Sequence, residues 1–152
     1  MANEYRTIKN TSEGIYKDKG SKFLSFAMPV ENIEQVKQLL AYYKKQYFDA
    51  RHVCYAYMLG AEREQYRTND DGEPSGTAGK PILGQINSHN LTNILIVVVR
   101  YFGGILLGTS GLIGAYKQAA LNAINNAQII SKDVEIHKEI TFTYEQMNQI
   151  MR

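Results

Sequence analysis

The chain has 152 residues, of which 44% are hydrophobic and 21% charged, and its net charge is +2. This suits one domain with a sizeable core, or one domain plus a fragment, and excludes a disordered chain. A single cysteine, Cys54, rules out an internal disulfide and fits a reducing compartment.

The opening residues, MANEYRTIKN, contain no apolar core of a secretory signal. Residues 14–18 and 21–29 read as strands joined at the turn Asp18-Lys19-Gly20. Leu24, Phe26 and Met28 alternate with Phe23 and Ser25, the period of a half-buried strand, and Pro29 ends the run. Asn32 and Gln35 stand at capping-box spacing. Behind them Ile33, Val36, Leu39, Leu40, Tyr43 and Tyr47 recur at helical intervals, predicting an amphipathic helix of about 15 residues. His52 to Leu59 reads as a strand, with Gln65 to Thr68 as its hairpin partner across Gly60.

Residues 69–80, NDDGEPSGTAGK, have the composition of a loop. A short helical piece is expected over Pro81 to Asn90. Ile94 to Val99 is β-branched without polar alternation, as in a strand buried on both faces. It is too short to cross a bilayer, so a cytoplasmic protein with no membrane partner is expected. After Gly103, Gly104 and Gly108 a second helix starts near Thr109 or Ser110, its apolar face running from Leu112 to Ala127. A last strand is expected over about Val134 to Tyr144, then a helical stub from Glu145 to Arg152. The order predicts an α+β fold, a two-layer mixed sheet with helices on one face. Residues 1–132 form the first unit, and 133–152 begin a second that is cut short.

From Pro74 to Lys132 there is no acidic residue, while Lys80, Arg100, Lys117 and Lys132 are present. Acids and bases balance over residues 1–73, and acids exceed bases after 132. An acid-free window beside glycine turns favours an anionic ligand; the plainer reading is a core segment that needs few charges.

The passage from Val99 to Lys117 is the leading candidate for chemistry. A helix N-terminus presents unpaired amides and partial positive charge, and glycines let a phosphate approach closely. Arg100, Gly103, Gly104, Gly108, Thr109, Ser110 and Lys80 are the anion-binding candidates. The P-loop motif fails because Thr109 stands where lysine is required, and G-x-G-x-x-G is absent, so ordinary nucleotide enzymes are disfavoured. The alternative is a tight turn whose glycines serve helix–sheet packing.

Asp70, Asp71 and Glu73 could bind magnesium or act as acid and base. The plainer reading is a turn whose aspartates cap backbone amides, with one carboxylate paired to Arg100. His52 and Cys54 share a strand face; a Cys54 nucleophile with His52 or His89 as base competes with a small buried thiol. The aromatics Tyr42, Tyr43, Tyr47, Phe48, Tyr55 and Tyr57 could stack on bases or form core and rim. No catalytic set and no cofactor are implied, and the metal is left unassigned.

GSKF at 20–23, RHVCYAYMLG at 51–60, NDDGEPSGTAGKPIL at 69–83 and VVVRYFGGILLGTSGL at 97–112 together resemble the IMPACT family, in its bacterial YigZ-like branch. The similarity covers about residues 3–130. It implies a fold like the second domain of ribosomal protein S5, with a ferredoxin-like C-terminal domain in bacterial members. It also implies eukaryotic relatives that regulate translation by interfering with activation of the general amino-acid control kinase. His52, Asp71, Glu73, Ser75, Gly76, Thr77, Arg100, Gly103, Gly104 and Gly108 match the family motif directly. The pattern departs at Ser110, where glycine is usual, and at Gly114, where a basic residue is usual.

The expected function is a non-enzymatic, translation-linked binding protein that contacts RNA, a ribosome or a translation factor through an anion-binding surface. The alternatives are a phosphate- or nucleotide-binding protein, conceivably a weak magnesium-dependent enzyme, and a protein-interaction module using the tyrosine-rich helix end.

Overall fold

The computed structural model describes residues 3–134. In chain order it contains β1 (Glu4–Ile8), β2 (Ser12–Asp18), β3 (Ser21–Pro29), α1 (Ile33–Gln46) and β4 (His52–Leu59). Next come β5 (Gln65–Asn69), α2 (Gly79–Ser88), β6 (Ile94–Tyr101), α3 (Gly108–Asn125) and β7 (Ile129–Asp133). Five strands form one sheet in the order β2-β3-β6-β4-β5, and β1 pairs with β7 in a separate ribbon.

The α+β class stands, but two of its expected details change. The strand pairings within both sheets are antiparallel rather than mixed. Helices cover both faces of the main sheet rather than one. The reason lies in β6, the central strand. Ile94, Ile96 and Val98 point into a core shared with α2 and α3, while Leu95, Val97 and Val99 point into a second core under α1. All six are fully buried, and each buried aliphatic side chain stabilises by about 1.5–3 kcal/mol. A strand apolar on both sides needs a layer on both sides.

Local signals set the helix ends. Asn32 Oδ1 accepts from the Gln35 amide at 2.9 Å, and Gln35 Oε1 accepts from the Glu31 amide at 2.8 Å, so this reciprocal pair starts α1. α2 begins two residues earlier than expected because its cap is remote: Asp70 Oδ1 accepts from the Ala78 and Gly79 amides at 3.2 and 2.8 Å. α3 lies close on β2 and β3, where Ser12 and Ser25 hydroxyls donate to the Ala123 and Ala119 carbonyls. Asn122 and Asn126 donate to the outer carbonyls of Ile15 and Glu13, covering the exposed edge of β2.

β1 and β7 were not expected. The strand anticipated over about Val134 to Tyr144 and the helix from Glu145 to Arg152 lie outside the described residues, apart from Val134, which follows the end of β7.

Candidate functional site

β6 delivers Arg100 to one end of the sheet. Strand alternation turns its side chain to the α2/α3 face, the face of Val98. Arg100 is only 5% exposed there. Burying a guanidinium is costly unless a carboxylate meets it, and loop 70–78 supplies Glu73, itself 7% exposed. Arg100 Nη1 donates to both Glu73 oxygens, at 2.9 and 2.8 Å. From α3, the Tyr116 hydroxyl donates to Glu73 Oε2 at 2.5 Å.

His52 completes the cluster. Its Nδ1 lies 2.7 Å from the Asp71 carbonyl oxygen, which can only accept, so Nδ1 carries the hydrogen. Its Nε2 stands 3.4 Å from Glu73 Oε1. The Cys54 thiol is 3.1 Å from the Asp70 carbonyl oxygen and 3.4 Å from the Tyr116 hydroxyl. Burial pushes this thiol well above its ordinary pKa, with the nearby Glu73, Asp71 and Asp70 adding to the rise and the Tyr116 hydrogen bond opposing it. Burial also raises the Tyr116 hydroxyl, with Cys54 and Glu73 as further causes. Both groups stay protonated, so neither is a nucleophile near neutral pH.

Of the two readings of Cys54, the geometry supports the small buried thiol over a nucleophile based by a histidine. His52 is engaged with Asp71 and Glu73, and His89 Nδ1 meets the Gln85 carbonyl at 2.8 Å at the far end of α2. The metal reading of loop 69–80 also lacks a donor set: among the described residues no group of three His, Cys, Asp or Glu converges on a point. The carboxylates diverge. Asp70 caps Gly76, Ala78 and Gly79, and Asp71 Oδ2 accepts from the Val53 amide at 2.7 Å. Glu73 alone turns to Arg100, as the plainer reading of this loop expected.

Above the Arg100–Glu73 pair lies a cleft of about 290 Å³. Arg51, His52, Glu73, Pro74 and Arg100 line one part of it, and Phe102, Leu106, Leu107, Gly108, Thr109 and Leu112 the rest. The Arg51 guanidinium lies 4.6 Å from the centre of the Phe102 ring. Arg100 Nε is buried and has no hydrogen-bond partner. α3 opens on this cleft with no side-chain cap and no acid in its first turn. Gly108 adopts φ +73°, a left-handed conformation that glycine supplies without strain, just where the helix begins. The first-turn amides and the partial positive charge of α3 are thus left uncapped beside Arg51.

The anion-binding candidates divide. Arg100, Gly108 and Thr109 line the cleft, and Ser110 is exposed one residue further along α3. Arg100 is not the open fork the sequence suggested, because Glu73 occupies it. Gly103 donates its amide to Ser21 Oγ at 3.2 Å, and a Cβ there would fall on the Gly20–Ser21 peptide. Close packing against the β2–β3 turn explains that glycine. Gly104 is in the same loop, with open space around it. Lys80 is exposed on the first turn of α2, and Ser75 is exposed just before it. The Gly76 amide is bound by Asp70, and Thr77 donates to the Pro74 carbonyl. None of these four lines the cleft.

The acid-free window does not form a patch either, since Lys117 lies on α3 and Lys132 on β7. Arg51, Phe102 and Tyr116 were missed. Arg51 opens one of the quoted motifs, a usable signal; Tyr116 carries only the spacing of an apolar helix face. A larger cavity, about 680 Å³ between β2 and the ends of α1 and α3, has Glu13 as its one charged lining residue and, of the candidates, holds Tyr47 alone.

Fold and site together define an α+β domain with a buried Arg–Glu pair beneath the uncapped start of a helix. The chain belongs to the IMPACT family: the Impact N-terminal domain matches residues 19–124, a span that holds the whole cleft. It is 34% identical over 146 residues to the IMPACT family member YvyE of Bacillus subtilis (strain 168), covering 95% of this chain and 67% of that protein. It is 44% identical over 100 residues to the IMPACT family member YigZ of Escherichia coli (strain K12), covering 64% of this chain and 49% of that protein. The chain thus spans about half to two thirds of the length of these relatives. The crystal structure of a hypothetical protein superposes with a TM-score of 0.84 at 32% identity, covering 93% of this chain and 73% of that one. Among the described residues, no helix is long and apolar enough to cross a membrane.

Proposed function

We propose that this domain is a non-enzymatic, translation-linked binding protein of the cytoplasm that contacts RNA or a ribosome-associated partner. The contact is made by the cleft between Arg51 and the start of α3. The binding unit is the described domain, closed by the β1–β7 ribbon. The observation that supports this most is the uncapped α3 terminus, opening on a cleft that the exposed Arg51 also lines. Such a site favours phosphate oxygens. The silence of the reactive groups supports a binding role: Cys54 and Tyr116 are held protonated, and Glu73 is committed to Arg100.

Fluorescence anisotropy with a short RNA across a salt series tests the reading. Affinity is expected to fall linearly on a log–log plot, and Arg51→Ala to lower both affinity and slope, the slope by about one contact. Arg51 is exposed, so this substitution spares the fold. Binding that ignores both salt and Arg51 refutes the proposal.

A further inference from the structure

We infer that the RNA is taken as a single strand, and that its contact extends from the cleft onto Phe48, whose ring receives an unpaired base. This rests on the function proposed above and specifies the form of its ligand.

Three loops converge at the end of the sheet where the cleft opens. The Arg51 amide donates to the Arg100 carbonyl at 2.9 Å, and the Tyr101 hydroxyl donates to Asp49 Oδ1 at 2.8 Å. These two bonds tie the α1–β4 turn to the end of β6. Lys22 is paired in register with Tyr101, and Gly103 packs on Gly20 of the β2–β3 turn. The convergence gathers exposed cations from separate parts of the sequence: Lys19 and Lys22 from the hairpin, Lys44 and Lys45 from the last turn of α1, and Arg51. The acids at this end are Asp18, half-buried; Asp49, which accepts from Tyr101; Asp71, which accepts from the Val53 amide; and Glu73, which is paired with Arg100, so the five exposed cations still outnumber the acids not already ion-paired. The surface is therefore complementary to a polyanion.

Phe48 stands three residues before Arg51 and is 84% exposed. Its neighbours Tyr42, Tyr43 and Tyr47 lie against one another or against Phe26, whereas Phe48 has no ring contact among the described residues. A second flat surface lies beside it in the chain, the Arg51 guanidinium on Phe102. A duplex buries its base faces and offers such surfaces only phosphates and sugars. A single strand offers both phosphates for the cations and base faces for the rings. Basic residues interleaved with exposed flat groups fit the single strand.

The test compares a short fluorescent RNA oligonucleotide with the same sequence annealed to its complement, using the full chain. The single strand is expected to bind more tightly. Phe48→Ala is expected to weaken single-strand binding about five- to a hundredfold, with duplex binding and the melting temperature unchanged, and Phe48→Tyr to retain affinity. A duplex bound as tightly as the single strand overturns the inference. So does unchanged binding by Phe48→Ala while Arg51→Ala still weakens it, an outcome that leaves the proposed function standing. Absence of binding to either RNA overturns this inference and the RNA contact proposed above together.

Discussion

Glu73→Ala probes the buried cluster most sharply. Glu73 accepts two bonds from Arg100 Nη1 and one from Tyr116, and it is almost fully enclosed. Its removal leaves a guanidinium that is 5% exposed without its counter-charge, and orphans a buried hydroxyl. Breaking a buried ion pair from one side costs about 3–5 kcal/mol, a large share of the roughly 5–15 kcal/mol that holds a domain together. Glu73→Gln keeps the volume and one acceptor but loses the charge, so a smaller loss, on the order of 2 kcal/mol, is expected. Arg100→Met combined with Glu73→Ala removes both charges, and its cost should fall below the sum of the two single changes by about 2 kcal/mol. Urea unfolding followed by circular dichroism measures the native chain and four variants, the Arg100→Met single change included. A Glu73→Ala cost below about 1 kcal/mol, or strict additivity in the double variant, refutes the view that this pair is a mutually dependent buried unit.

Gly103→Ala pushes a methyl group into the Gly20–Ser21 peptide and should cost about 1–3 kcal/mol, whereas Gly114→Ala faces open space within α3 and should stabilise by about 0.5–1 kcal/mol; thermal melts showing the same sign for both contradict the packing argument. The Cys54 thiol, raised mainly by burial, should react with iodoacetamide at pH 8 only as fast as the protein unfolds, and rapid labelling of the native state contradicts this. Burial, aided by Tyr42, pushes the Tyr43 hydroxyl up to about 12 from its ordinary 10. A raised folded-state pKa means this contribution is complete below pH 10 and is lost between pH 10 and about 12. Tyr43→Phe should therefore lose less stability than the native chain over that range, and an identical alkaline loss in denaturant titrations counts against the assignment.

The elements with strong periodicity were legible in the sequence: β3 by its alternation, α1 by its apolar stripe and its Asn32–Gln35 cap, β6 by its unbroken apolar run. β1 and β7 escaped because each has five residues and their pairing joins the two ends of the described chain, which no local pattern reveals. The two-faced cover of the sheet was implicit in Ile94–Val99, since such a run needs helices on both sides whether its neighbours are parallel or antiparallel. The site was legible by residue type more than by arrangement. The Arg100–Glu73 pair and the capping aspartates follow from charge and turn chemistry. Tyr116 does not, because a tyrosine on an apolar helix face looks the same whether or not it donates to a buried carboxylate. Charge misled where spacing along the chain stood in for spacing in the fold. Lys80, Lys117 and Lys132 share an acid-free window yet scatter over α2, α3 and β7. Lys19, Lys22, Lys44, Lys45 and Arg51 come from a charge-balanced region and meet at one end.

The central claim, that the start of α3 receives a phosphate, is tested most directly by titrating ¹⁵N-labelled protein with a short single-stranded RNA and following backbone amide resonances. The account predicts that Gly108, Thr109 and Ser110 shift together with Arg51 and saturate at one common RNA concentration. Shifts confined to α2 or to the β1–β7 ribbon, with residues 108–110 unmoved at saturation, would contradict it.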